Sequence, residues 1–134
     1  MIVLDASVVV ELLTNGPLAP NIGQELSSRD EPSVVPHLLD VEVLNAVRGL
    51  TTGQRIESER AEQILIGLAT LPAERYAHIP LLARMWELRH NFTAYDAAYI
   101  ALAEALGATL YTCDEKLSKG HRARVKLFSG YKAK

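Results

Sequence analysis

The sequence predicts an α/β fold in which a parallel sheet carries helices on both faces, and three observations predict it. Short apolar runs of three to five residues alternate with longer stretches of helical periodicity, Pro, Gly, Asn and Thr punctuate the joins, and two of the runs end at an aspartate. Strands separated by helices must be joined by crossovers, which makes them parallel and requires helices above and below the sheet. In such sheets ligands bind in the crevice outside the carboxyl ends of the strands, so the residues that follow strands are the ones to inspect.

The elements follow in order. Ile2 to Leu4 form an apolar run ending at Asp5, and a helix from about Ala6 to Leu13 stops at Asn15-Gly16-Pro17. A second helix is expected over Asn21 to Arg29, and Pro32-Ser33-Val34-Val35-Pro36 is a short extended run bounded by prolines. From Leu38, apolar residues at Leu39, Val43, Ala46 and Leu50 mark one face of a helix that ends at Thr51 to Gly53. Glu57 to Leu68 is another amphipathic helix, Tyr76 to Ile79 a strand, and Leu81 to Arg89 a helix with Pro80 in its opening turn. Thr93 is an N-cap for an Ala- and Leu-rich helix over Ala94 to Leu106, which Gly107 stops. Thr109 to Thr112 and Val125 to Phe128 complete the strands.

With 134 residues the chain has the size of one domain, and no repeat, low-complexity tract or linker divides residues 1–134. Hydrophobic residues make up 49% and charged residues 22%, the balance of a soluble globular domain, and a single cysteine, Cys113, excludes an internal disulfide framework. No apolar run approaches the roughly 20 residues of a membrane span. MIVLD at the start lacks the basic region of a signal peptide and reads as a core strand, so a cytoplasmic protein is expected.

The net charge of -2 argues against a general nucleic-acid binder, but its distribution is uneven. After Glu115 there is no acid, while Lys116, Lys119, Arg122, Arg124, Lys126, Lys132 and Lys134 follow, half of the 14 Lys and Arg residues. That run can track a phosphate backbone or form a solvated basic end.

Four acids stand out. Asp5 and Asp114 each follow a strand, although each is also a good cap or turn former. Glu42 lies among Leu38, Leu39, Val41, Val43 and Leu44, where a carboxylate needs a partner or an ion; Asn45, three residues on, is placed to orient it. The nearby Asp40 is explained by the helix dipole alone. Thr93-x-x-Asp96 resembles a capping box, yet Asp96 is surrounded by Tyr95, Ala97, Ala98, Tyr99 and Ile100. Two carboxylates about 4 Å apart repel by about 4 kcal/mol at an effective dielectric near 20, and a divalent cation relieves this. An all-oxygen set without His or Cys at metal-site spacing favours Mg²⁺ or Mn²⁺ over Zn²⁺. His37, His78, His90 and His121 are scattered; His37 alone could approach through the loop ahead of its helix. The roles of Ser7 and Glu11, close to Asp5, stay undivided.

Taken together, IVLDASVVVELL, PHLLDVEVLNAV and FTAYDAAYIALAEALGATLYTCDEKL resemble, in order and spacing over nearly the whole chain, the PIN-domain family and in particular the short VapC-type toxins of bacterial toxin–antitoxin pairs. The resemblance implies a three-layer α/β/α sandwich with a parallel sheet of about four or five short strands, and endonucleolytic cleavage of RNA with Mg²⁺, for which Mn²⁺ can substitute. Position by position it assigns Asp5, Glu42, Asp96 and Asp114 as the metal-binding and catalytic acids, Asp114 acting directly or through water, with Ser7, Asn45, Thr93 and Thr112 as the polar residues around them. It further implies water as nucleophile with 5′-phosphate and 3′-hydroxyl products, a structured cellular RNA such as tRNA or rRNA as substrate, and a cognate antitoxin that covers the crevice. A homodimer joined through helices near Arg55 to Leu71 or Pro80 to Arg89 is also implied. A phospho-accepting receiver does not fit, because Asp5 is followed by Ala6 and Ser7 rather than an acid pair, and Ile79-Pro80 offers no acceptor aspartate. The alternative is a catalytically silent PIN-like module that binds RNA or protein, against which the presence of all four acids argues.

Overall fold

In the computed structural model, which describes residues 1–129, the chain runs β1 (Ile2–Leu4), α1 (Ala6–Thr14), α2 (Ala19–Arg29), β2 (Ser33–Pro36), α3 (Leu38–Thr52), α4 (Ser58–Ala69) and β3 (Ala73–Tyr76). A 3₁₀ turn (Ile79–Leu81) then leads into α5 (Leu82–Glu87), followed by α6 (Ala94–Leu106), β4 (Thr109–Thr112), a second 3₁₀ turn (Glu115–Ser118) and β5 (Arg124–Leu127). Lys132 and Lys134 of the basic run lie outside the described residues. The five strands form one sheet in the order β3-β2-β1-β4-β5, and every neighbouring pair is parallel.

This order follows from the crossovers. The chain moves outward from β1 to β2 and β3, then returns through α5 and α6 to β4 on the other side of β1. Right-handed connections that reverse direction in this way put the first four helices on one face and the last two on the other. Packing agrees: α1 lies against α2, α3 and α4, while α6 lies against β1, β2, β4 and α5. The result is a three-layer α/β/α sandwich, and its strand order reverses between β1 and β4.

Burial follows layer position. All of β1 and most of β2 and β4 are buried, as expected of strands covered on both faces, whereas the edge strands β3 and β5 have no fully buried residue and carry Glu74, Arg75, Arg124 and Lys126. Helix α6 is buried from Ala97 through Ala103. Its small alanines let the backbone lie close to the sheet. Thr93 Oγ1 accepts from the Asp96 amide at 3.1 Å to begin it, and Gly107 ends it at φ 63°, where a side chain is disfavoured. Among the described residues no helix is long and apolar enough to cross a membrane.

Two expectations shift. The third strand is Ala73–Tyr76 rather than Tyr76 to Ile79, because the chain turns into 3₁₀ geometry at Ile79, and Pro80 has no amide N–H to give a ladder. As an edge strand it lacks the apolar signature that marks the central ones. In α3 the buried face is Leu39, Val43 and Val47, and Ala46 is exposed. Asp40 is more than a dipole acid: the Arg75 guanidinium donates to both of its oxygens, at 2.7 and 3.3 Å, and also to the carbonyls of Leu68, Leu71 and Ala73. That one side chain ties α3, the end of α4 and β3 together.

Candidate active site

Each helix that follows a strand starts at the carboxyl edge of the sheet, and α6, which descends to the start of β4, must start there too. The topology therefore brings the end of β1, the first two turns of α3, the first turn of α6 and the end of β4 to one edge. Asp5, Glu42, Asp96 and Asp114 occupy those four places. That edge includes the β1–β4 boundary where the strand order reverses, the position at which doubly wound sheets bind ligands.

Asp5 is only 4% exposed. Its Oδ1 accepts from the Val8 amide at 3.1 Å, capping α1, and from Ser7 Oγ at 2.6 Å, while Thr112 Oγ1 donates to Oδ2. The cap and the site are thus the same carboxylate. Burial raises its pKa above the ordinary 3.8, the three hydrogen bonds oppose that shift, and the charge of Asp96 adds to it. Ser7 Oγ also accepts from the Cys113 amide at 2.9 Å, so it fastens the end of β1 to the end of β4.

Thr112 is fully buried and works in both directions. It donates to Asp5 and accepts from the Asp114 amide at 2.9 Å, which explains the spacing of the T-x-D motif. Asp114 Oδ1 accepts from the Lys116 amide at 3.0 Å and starts the second 3₁₀ turn.

Asp96 is half-buried. The capping box is one-sided: the Thr93 hydroxyl accepts from the Asp96 amide, but among the described residues the carboxylate does not return to the Thr93 amide. Burial raises the Asp96 pKa, the charge of Asp114 raises it further, and Lys116 and the Thr93 hydroxyl lower it. Glu42, half-buried on α3, is likewise raised by burial and by Asp96, against a 2.6 Å hydrogen bond from Tyr99 Oη. Asp96 is therefore the electrostatic hub, coupled to each of the other three acids.

The remaining expected residues divide. Thr93, Ser7 and Thr112 hold the backbone and carboxylates around the crevice, whereas Asn45 is exposed and does not bond Glu42 among the described residues. The partner of Glu42 is Tyr99, which sequence reasoning counted only as apolar surroundings. Its signal was the Asp96-x-x-Tyr99 spacing, which puts both side chains on one helix face. Glu11 leaves the site, since its Oε1 accepts from the Leu18 amide at 2.8 Å. His37 is exposed and lines, with His78 and Tyr95, a separate apolar hollow of about 330 Å³. Of the basic run, Lys116 stands beside the acids, and Arg124 is engaged at the far end of β5 with the Gly107 carbonyl.

Chemically the donor set is hard. Burial pushes the Cys113 thiol up to about 11, so it stays protonated and offers no thiolate, and the acids supply only oxygen. Among the described residues no three His, Cys, Asp or Glu side chains close on one point as placed. Asp5, Glu42 and Asp114 each aim at least one oxygen at a neighbouring donor. A carboxylate has about four acceptor positions, so each retains capacity for a cation. Four mutually repelling acids fit an oxygen-loving divalent ion such as Mg²⁺ or Mn²⁺.

The family profile described as PIN domain matches residues 2–122. Ribonuclease VapC12 of Mycobacterium tuberculosis is 39% identical over 129 residues, covering 95% of this chain and 98% of that protein. Two solved structures share the fold. VapC20 of Mycobacterium tuberculosis, described as a sarcin–ricin loop cleaving toxin, superposes with TM-score 0.68 at 16% identity and covers 88% of this chain and 93% of its own. A toxin–antitoxin complex from Klebsiella pneumoniae gives TM-score 0.64 at 18% identity, with 90% and 92% covered.

Proposed function

This chain belongs to the PIN-domain family, and from that premise we propose that it is a Mg²⁺- or Mn²⁺-dependent endoribonuclease, the toxin of a bacterial type II toxin–antitoxin pair. The observation that carries the reading is the placement of Asp5, Glu42, Asp96 and Asp114 toward one edge of the sheet, with the charge of Asp96 acting on Asp5 and Glu42 and that of Asp114 on Asp96. The 39% identity with a ribonuclease over nearly the full length of both chains supports the activity.

In this reading Asp5, Glu42 and Asp96 would hold the ion, with Asp114 holding it directly or through water. Such an ion, when bound, would supply positive charge against the phosphodiester and would lower the pKa of a nucleophilic water. The protein's own residues do the rest. Ser7 and Thr112 fix the Asp5 carboxylate, Thr93 fixes the start of α6 and with it Asp96, and Lys116 offers a phosphate-binding cation beside the acids. The substrate is a structured RNA such as tRNA or rRNA, a choice that the sarcin–ricin loop cleaving neighbour supports. Hydrolysis leaves 5′-phosphate and 3′-hydroxyl ends.

The test is direct. Purified protein freed of antitoxin should cleave total cellular RNA with Mg²⁺ or Mn²⁺, leave ends that accept ligation as 5′-phosphates, and fall silent with EDTA. Binding of RNA without cleavage at any divalent ion concentration would instead establish a silent module. The cognate antitoxin, taken as the product of an adjoining short reading frame, should abolish cleavage when added in equimolar amount; unimpeded cleavage would refute that partner.

The proposal includes a homodimer joined through the 79–89 segment. Ile79, Leu82 and Trp86 stand 69%, 49% and 66% exposed within that segment, apolar surface that a second copy would cover. Trp86→Glu should convert dimers to monomers in analytical ultracentrifugation without loss of helical signal. Persistence of the dimer would move the interface elsewhere, α4 with exposed Leu65 and Ile66 being the other candidate.

A further inference from the structure

Of the four acids, Glu42 alone stands beyond the first turn of a helix, away from strand ends and helix caps. Its carboxylate is held by one side chain: Tyr99 Oη donates to Oε1 at 2.6 Å, across 57 residues of sequence, and no other donor bonds it among the described residues. Asp5, by contrast, has three donors. The bond also joins elements with other main partners, since α3 packs chiefly on α1 and α4 while α6 packs on α5 and the sheet.

The two ends of this bond differ in freedom. Tyr99 is 1% exposed and lies within the run of α6 buried from Ala97 to Ala103, so close packing holds its ring and presents the hydroxyl at one place. Glu42 has several rotatable bonds and a half-open surrounding, and without an anchor it would spread over several rotamers. The anchor takes one oxygen, leaving Oε2 and the spare acceptor position of Oε1 for another partner.

We propose that Tyr99 is a positioning residue whose hydroxyl holds the Glu42 carboxylate in the rotamer that meets a divalent cation together with Asp96. The inference rests on the metal-site reading above. Asp96 and Tyr99, three residues apart, project from the same face of α6. One rigid helix therefore carries a candidate ligand and the group that aims another ligand from a different helix. Partners of this kind behind a ligand typically contribute 10- to 100-fold in metal affinity.

The experiment is a titration with Mn²⁺ alone, read by the electron paramagnetic resonance of free Mn²⁺, on the unaltered protein, Tyr99→Phe, Glu42→Gln and the double variant. Tyr99→Phe keeps the ring and its packing and frees a half-exposed carboxylate that water can reach, so its metal-free melting temperature should fall by only a few degrees while Mn²⁺ binds about 10-fold or more weaker. In the Glu42→Gln background the same change should add little, because the carboxylate through which Tyr99 acts is already gone. RNA cleavage by Tyr99→Phe should recover toward the unaltered rate as Mn²⁺ is raised, which a loss of structure would not allow. Equal Mn²⁺ affinity in Tyr99→Phe and the unaltered protein would overturn the positioning role alone. A full additional loss in the double variant would overturn it too, by showing that Tyr99 does not act through Glu42. No Mn²⁺ binding by the unaltered protein would overturn the metal-site reading and this inference with it.

Discussion

Asp96→Asn is expected to lower RNA cleavage by about 10²- to 10³-fold, the scale of removing one preorganised charged group from a transition state, while leaving the fold as stable as before or more so. The two effects have opposite signs for a physical reason. At neutral pH the Asp96 charge is opposed first by burial and then by Asp114, and it in turn presses on Asp5 and Glu42. A carboxyl group whose pKa is raised on folding is less favourably ionised in the folded chain than in the unfolded one, so its charge subtracts stability at pH 7. Asparagine keeps the shape and the amide that Thr93 caps but removes that charge. A purely structural acid in the first turn of a helix would behave oppositely, because the helix dipole favours the negative charge by about 0.3–1 kcal/mol. Cleavage assays together with melting curves on metal-free protein decide the matter. Full activity would exclude Asp96 from the site, and a lowered melting temperature with unchanged activity would return it to a capping role. Loss of activity with gain of stability is the signature of a cluster held together for function.

Thr112→Val is expected to carry the largest stability effect of any isosteric change near the site. The hydroxyl is fully buried and serves two partners, donating to the nearly buried Asp5 carboxylate and accepting from the Asp114 amide. Valine preserves the β-branched shape but leaves both groups without that partner. A hydrogen bond to a charged group contributes about 1.5–3 kcal/mol and an orphaned amide adds to the loss, so about 3 kcal/mol is expected. That corresponds to a fall of roughly 10 °C in melting temperature for a chain of this size. Thr112→Ser keeps the hydroxyl and should retain most of the stability. Activity should fall about 10-fold in the valine variant, since Asp5 loses one of the bonds that orient it. Equal melting temperatures for the valine and serine variants would remove the hydroxyl from the account.

The legibility of this site varied residue by residue. The placement of Asp5 and Asp114 was readable because standing directly after an apolar strand, or one residue beyond it, is a one-dimensional property, and the parallel sheet turns it into a common edge. Thr93 and Gly107 were readable because caps act within four residues of themselves. β3 was misplaced because an edge strand rich in charge gives no apolar pattern, and its fastening, Arg75 to Asp40, joins residues 35 apart. Asn45 was expected to serve Glu42 from the next turn of the same helix, but the partner came from a helix 57 residues away.

Local chemistry, written in hydrophobic period, caps and strand-end acids, was enough to determine an α/β/α sandwich with a parallel sheet and to single out Asp5, Glu42, Asp96 and Asp114. It could not order the strands as β3-β2-β1-β4-β5, nor reveal that Thr112 joins Asp5 to Asp114 or that Tyr99 holds Glu42. Periodicity and capping are short-range interactions whose partners sit within a turn or a pleat of each other. Hydrogen bonds between side chains on different elements depend on which surfaces the crossovers bring together, and that pairing exists only once the sheet has closed.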